Sequence, residues 1–212
     1  MVYWLFKPIG IMVLHCFYKI NMIGREHIPD GSFIIAANHH SNVDPIILSG
    51  MFKRPIHFLA KNELFNHPFT NWFLRRLHAI PVDRKSGIVI RPVRHSLNVI
   101  RRGEWFGIFP EGKRCKIGET VRPKKGVAFL SRKSSVPILP VAIVWGNKTL
   151  WQTPITLVIG KPIEPGHFPN TDNHALAQLV MDQIKELAEK EGQRVGSPSK
   201  NNDRAPRLNR ES

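Results

Sequence analysis

The feature that most constrains this chain is an alternation of short apolar, β-forming runs with longer segments of helical periodicity. The runs are SFIIAA (32–37), IHFLA (56–60), AIPV (79–82), WFGIF (105–109), ILPVAIVW (138–145) and ITLVIG (155–160), and each is bounded by turn-forming or polar residues as a buried strand is. Between them, Val89, Val93, Leu97 and Ile100 recur at helical spacing and stop before Gly103. Near the end, Leu176, Leu179, Val180, Ile184 and Leu187 form one stripe within 175–191. Asp44 and Pro45 open a helix over IILSGMF, with Asp44 expected at the cap and Pro45 at the first helical position. Strands alternating with helices predict an α/β domain, a central mostly parallel or mixed sheet flanked by helices. A chain of 212 residues, 42% hydrophobic, can build one such core without staples. Two cysteines exclude a disulfide scaffold, and Cys16 in an apolar stretch and Cys115 in a basic loop read as reduced thiols exposed to a cytosol-like compartment.

The ends of the chain depart from this pattern. Residues 1–22 are apolar but interrupted by Lys7, Pro8 and His15, and they lack a small-residue cleavage site and a basic start, which argues against both a signal peptide and a clean transmembrane span. Trp4, Phe6, Phe17 and Tyr18 beside Lys7 and Lys19 suit a headgroup boundary, so the segment is expected to be an amphipathic helix anchored in the membrane plane. A helix packed on the domain's own core is the other reading. Residues 193–212, nearly devoid of apolar side chains, predict a disordered basic tail. The domain proper is then 23–192.

The strand SFIIAA empties into the polar cluster Asn38-His39-His40-Ser41-Asn42-Val43-Asp44, at the edge where α/β sheets bind ligands. On a continuous helix, His39 and Asp44 would be turned about 140° apart; they can meet only if His39 lies in the loop and Asp44 at the helix start. An Asp accepting from imidazole Nδ1 leaves Nε2 to take a proton from a hydroxyl. Ser41 lacks the glycines of a nucleophile elbow, so the attacking oxygen is expected to be a substrate alcohol, and the chemistry direct acyl transfer. The plainer alternative makes Asp44 a helix cap and His39 a solvated loop residue.

A second loop, Phe109-Pro110-Glu111-Gly112-Lys113-Arg114-Cys115, follows the strand at 105–109. If the strands are parallel it converges on the His39 loop. Arg114 offers a planar fork for phosphate, Gly112 permits close backbone approach, and Glu111 could accept from a hydroxyl or steady the arginine. A third loop carries Asp83, Arg84 and Lys85 after AIPV, with Arg84 a second phosphate candidate.

NHHSNVD, the arginine of VDRKSG, FPEGKRC and VPILPVAI stand in the order and approximate spacing of the four motif blocks of the 1-acylglycerol-3-phosphate (lysophosphatidic acid) acyltransferases, and the chain resembles that family over about residues 23–165, AKNELF (60–65) included. The resemblance implies His39 as catalytic base and Asp44 as its orienting partner. It implies that Asn38, Arg84, Glu111, Gly112 and Arg114 serve the substrate, and that Pro137 lies on the acyl-donor side, in a block apolar enough to be plain core. Lys113 and Cys115 depart from the family's usual F-P-E-G-T-R-S: one adds a cation beside the expected phosphate and the other removes a hydroxyl.

The resemblance therefore implies an enzyme that moves a fatty acyl group from acyl-CoA or acyl carrier protein to the sn-2 hydroxyl of lysophosphatidic acid, making phosphatidic acid, with no metal or other cofactor. It would sit on the cytoplasmic face of a phospholipid bilayer. The excess of 31 Lys and Arg over 16 Asp and Glu suits an anionic surface, as does HPFTNWFLRRLH (67–78), which could equally be an ordinary core helix. Nucleic acid is disfavoured, because zinc, RNP-type and basic-zipper patterns are missing. An acyltransferase for another lyso-lipid and a non-enzymatic membrane lipid-binding protein are the alternatives.

Overall fold

The computed structural model describes residues 2–83, 90–116, 119–168 and 172–196. Among these residues seven strands form one sheet: β1 (Tyr18–Ile23), β2 (Ile34–Ala37), β3 (Ile56–Lys61), β4 (Ala79–Val82), β5 (Trp105–Ile108), β6 (Ile138–Trp145) and β7 (Thr153–Ile159), in the order β1-β7-β6-β2-β5-β3-β4. Every neighbouring pair is parallel except β6 and β7, so the sheet is mixed. The single α/β domain expected from the alternation of elements is what the chain forms.

The continuous apolar run of β2 has a positional reason. It lies between β5 and β6, with Ile34 aligned with both Phe106 and Ile138, and all four of its residues are buried. A strand covered on both faces has no polar side to display. On one face, Ile34, Ala36, Phe106, Ile138 and Ala142 pack with α4 (Ile90–Arg101), α5 (Gly126–Ser134) and α6 (Asn173–Gly196). On the other, Phe33, Ile35, Ala37, Leu139 and Val141 pack against Leu14 of α1 (Val2–Phe17) and Ile47, Leu48 and Phe52 in and after α2 (Asp44–Met51). Helix α3 (Pro68–Arg76) lies between β3 and β4 in the chain.

Both ends of the domain differ from expectation. The N-terminal helix ends at Phe17, not 22, because in YKINMI the side chains alternate between more and less buried, a period of two that suits a strand; β1 aligns with β7 from Tyr18 opposite Thr153 onward. α1 packs on α2, with Leu14 and Ile11 against Gly50, while Ile9, Met12, Val13 and Phe17 stay exposed on its outer side. Among the described residues no helix is long and apolar enough to cross a membrane. At the other end, α6 continues through residues 193–196, which composition alone places in the tail; the rest of that tail, 197–212, lies outside the described residues.

Candidate active site

The site lies at the carboxyl edges of β2, β5 and β6, three adjacent strands. Because β2 runs parallel to both neighbours, the loop after β2 and the loop after β5 leave the sheet on the same side. They are tied together by one backbone and one side-chain contact: Cys115 N–H donates to the His39 carbonyl at 2.8 Å, and His40 Nδ1 lies 2.8 Å from the Cys115 carbonyl.

His39 and Asp44 meet. His39 stays in the loop and Asp44 is the first residue of α2, and Nδ1 lies 2.9 Å from Oδ2. Asp44 does not cap the helix, however. No side-chain cap bond is made at the start of α2, and the carboxylate turns back onto the loop, where Oδ2 also accepts the backbone N–H groups of His40 and Ser41, each at 2.7 Å. Its other oxygen, Oδ1, accepts from Trp145 Nε1 at 3.2 Å. The carboxylate is fully buried and the imidazole side chain 17% exposed. A buried carboxylate with four donors is held in one orientation, and with Nδ1 on Asp44 the imidazole has no hydrogen-bond partner for Nε2 among the described residues.

The imidazole also rests on a stack of rings. Phe109 lies parallel to it with centroids 4.1 Å apart, and Phe58 stacks on Phe109 at 5.6 Å. Phe58 fits there because residue 107 is glycine: a Cβ at that position would sit 2.1 Å from Phe58 Cε1. The glycine of WFGIF thus clears space for the ring that supports the ring beneath His39.

Asn38 and Glu111, expected to serve the substrate, are instead turned inward. The Asn38 amide extends the pairing of β2 with β6, Oδ1 accepting from Ile143 N–H at 2.7 Å and Nδ2 donating to its carbonyl at 2.9 Å. Glu111 Oε2 accepts the His39 backbone N–H at 2.8 Å. Both side chains are buried, and burial pushes the Glu111 carboxyl above its ordinary value, opposed by that same hydrogen bond. They shape the loop that carries the imidazole. Gly112 adopts φ +68°, and the group that approaches it is the chain's own Lys124, whose Cε would lie 2.6 Å from a Cβ there. Arg114 is exposed on the same loop. Lys113 is paired with Glu119 at 2.7 Å, so its charge is already answered within the loop. The Cys115 thiol is buried, and burial together with the Glu111 and Glu119 carboxylates raises its pKa, the reverse of what a nucleophilic thiol needs. Arg84 lies outside the described residues.

Sequence reasoning did not assign Trp145, Phe109, Phe58 or Lys124 to the site. The available signal was modest: a Trp closing an otherwise aliphatic strand and a glycine inside an apolar strand, each of which marks a close approach whose partner only the fold reveals.

The site is thus a His–Asp pair at the carboxyl edge of a mixed α/β sheet. The Acyltransferase family model matches residues 19–144, and the chain belongs to that family. A 1-acyl-sn-glycerol-3-phosphate acyltransferase of Bacillus subtilis is 31% identical over 180 residues, 81% of this chain and 89% of the relative. Its namesake in Borreliella burgdorferi is 38% identical over 128 residues, 59% of this chain and 51% of the relative. The crystal structure of the 1-acyl-sn-glycerophosphate (LPA) acyltransferase PlsC from Thermotoga maritima superposes with a TM-score of 0.72 at 30% identity, covering 90% of this chain and 80% of that one.

Proposed function

We propose that this chain transfers a fatty acyl group from an acyl thioester, on coenzyme A or acyl carrier protein, to the sn-2 hydroxyl of 1-acylglycerol-3-phosphate. The observation that carries the reading is the His39–Asp44 pair at 2.9 Å, with the second ring nitrogen left for a substrate. Nε2 takes the hydroxyl proton as the oxygen attacks the thioester carbonyl. Collapse of the tetrahedral intermediate expels the thiolate, and the imidazolium returns its proton to that sulfur. The products are phosphatidate and free thiol, and the enzyme carries no acyl group at any stage. General-base help of this kind is worth roughly 10²- to 10⁴-fold.

The acceptor's phosphate is assigned to Arg114 and Arg84, with Lys124, which lies over Gly112, adding a third cation. Guanidinium forks match phosphate oxygens, and a held phosphate fixes the distance from the sn-2 hydroxyl to the imidazole. Both substrates carry acyl chains, so the site must work at a lipid surface. The exposed Ile9, Met12, Val13 and Phe17 of α1 and the exposed Phe69, Trp72 and Phe73 of α3, with Arg76 over the Trp72 ring at 5.5 Å, are the side chains suited to enter a headgroup layer. The net charge of +15 favours an anionic leaflet on the cytoplasmic face.

The test is acyl transfer by the purified chain on anionic vesicles containing 1-acylglycerol-3-phosphate, a lysophospholipid or a phosphate-free acceptor, with each thioester donor. The expected result is phosphatidate formation that falls at least about 10²-fold in His39→Ala, with circular dichroism and vesicle sedimentation unchanged. Undiminished turnover in His39→Ala, or no transfer to the phosphate-bearing acceptor by the wild type, overturns the reading.

A further inference from the structure

The Asp44 carboxylate is bound unevenly. Oδ2 accepts three donors, His39 Nδ1 at 2.9 Å and the His40 and Ser41 N–H groups at 2.7 Å, all from the loop it serves. Oδ1 has a single partner among the described residues, the indole N–H of Trp145 at 3.2 Å, which comes from the last residue of β6, 101 positions away in the chain. Trp145 is held there from two sides. Its backbone pairs with β7 opposite Ile155, and the Tyr18 ring of β1 meets it edge-on with centroids 5.7 Å apart. Three bonds to one oxygen leave a carboxylate able to swing about that oxygen; a donor on the other oxygen, fixed to a different part of the sheet, removes the freedom. A fully buried charge is also costly to leave with an oxygen unpaired.

We propose that Trp145 is a positioning residue for acyl transfer: its indole N–H fixes the plane of the Asp44 carboxylate and takes up part of the negative charge that the carboxylate would otherwise turn on the proton it shares with His39 Nδ1. The proposal rests on the His39–Asp44 mechanism above. A hydrogen bond to Oδ1 stabilises negative charge on Asp44 and so weakens its hold on a proton shared with Nδ1. Without the bond, more of that charge is left to the shared proton, and the variant needs a higher pH to reach its full rate.

Trp145→Phe tests this, since it keeps an aromatic ring against Tyr18 and deletes only the donor. The expected outcome is a fall of about tenfold in kcat, KM for donor and acceptor within about twofold, and an acid limb of the kcat/KM profile moved upward by several tenths of a pH unit. Wild-type kcat with an unmoved acid limb overturns the proposal. Lost activity with the limb unmoved also overturns it, because that is how a purely structural side chain behaves. His39→Ala, assayed alongside, separates the two failures: if it remains active the dyad mechanism falls, and if it is inactive while Trp145→Phe matches wild type, only the role of Trp145 falls. Should Trp145→Phe fail to fold, the wild-type chain supplies the readout. One of its five indole N–H resonances should titrate with the midpoint of the acid limb, and the absence of any such resonance contradicts the assignment.

Discussion

A single side chain in β3, outside the active site, illustrates how burial sets the acid limit of the fold. His57 donates from Nε2 to Glu104 at 2.6 Å, stands near His78 with ring centroids 4.8 Å apart, and buries Nδ1 with no partner among the described residues. Burial, reinforced by His78, lowers its pKa to about 4 despite the carboxylate. The group facing both rings is Glu104, itself held below the usual carboxylate range by Arg102. The unfolded chain takes up a proton at this histidine near its ordinary value of 6.5 while the folded chain does not, so stability is full above that pH and declines as pH falls toward 4. His78, also lowered by burial, adds in the same sense, whereas the loss from protonating Glu104 comes only at lower pH. The thermal midpoint should therefore drop steadily between about pH 6.5 and 4.5, and His57→Gln, which keeps an N–H for Glu104 and cannot be protonated, should lose part of that slope. Identical slopes in the two proteins would contradict the assignment.

Among the elements, β5 bears the tightest constraint. Gly107 has no room for a Cβ against Phe58, and Phe58 supports Phe109 beneath His39. Gly107→Ala should cost about 1–3 kcal/mol by overpacking, and markedly less in a Phe58→Leu background, where the obstructing ring is gone; denaturant unfolding of the four proteins measures that coupling. Equal costs in both backgrounds would mean that the strand itself, and not the ring, requires glycine. Much of this architecture is legible in the sequence. Six of the seven strands announce themselves as apolar runs, and the meeting of His39 with Asp44 follows from the local boundary between strand and helix. β1 is hidden because its alternation continues an apolar helix without a break. Helix α5 escapes notice because its buried residues, Val127, Ala128, Leu130 and Ser131, sit in a short, basic-ended segment. Asn38 and Glu111 are recognisable as members of the site, but their partners, 105 and 72 residues away, are not. Residue type signals a hydrogen bond, and only tertiary structure says whether a backbone or a ligand receives it.

For the molecule as a whole, the layers connect in one direction. A central strand buried on both faces fixes the edge from which two loops emerge. The Cys115 N–H donating to the His39 carbonyl and the Glu111 carboxylate accepting the His39 N–H join those loops, and Asp44 and Phe109 hold the imidazole between them. The Cys115 thiol is buried and its pKa raised, and the proposed mechanism gives the attack to the hydroxyl oxygen of the acceptor lipid. The most direct measurement of that claim is thiol release from an acyl thioester mixed with stoichiometric enzyme, with and without 1-acylglycerol-3-phosphate. The account predicts no burst of thiol until the acceptor is added, and then thiol and phosphatidate appearing together in equal amounts. A burst of thiol equal to the enzyme concentration in the absence of acceptor, with acyl group retained on the protein, would contradict it.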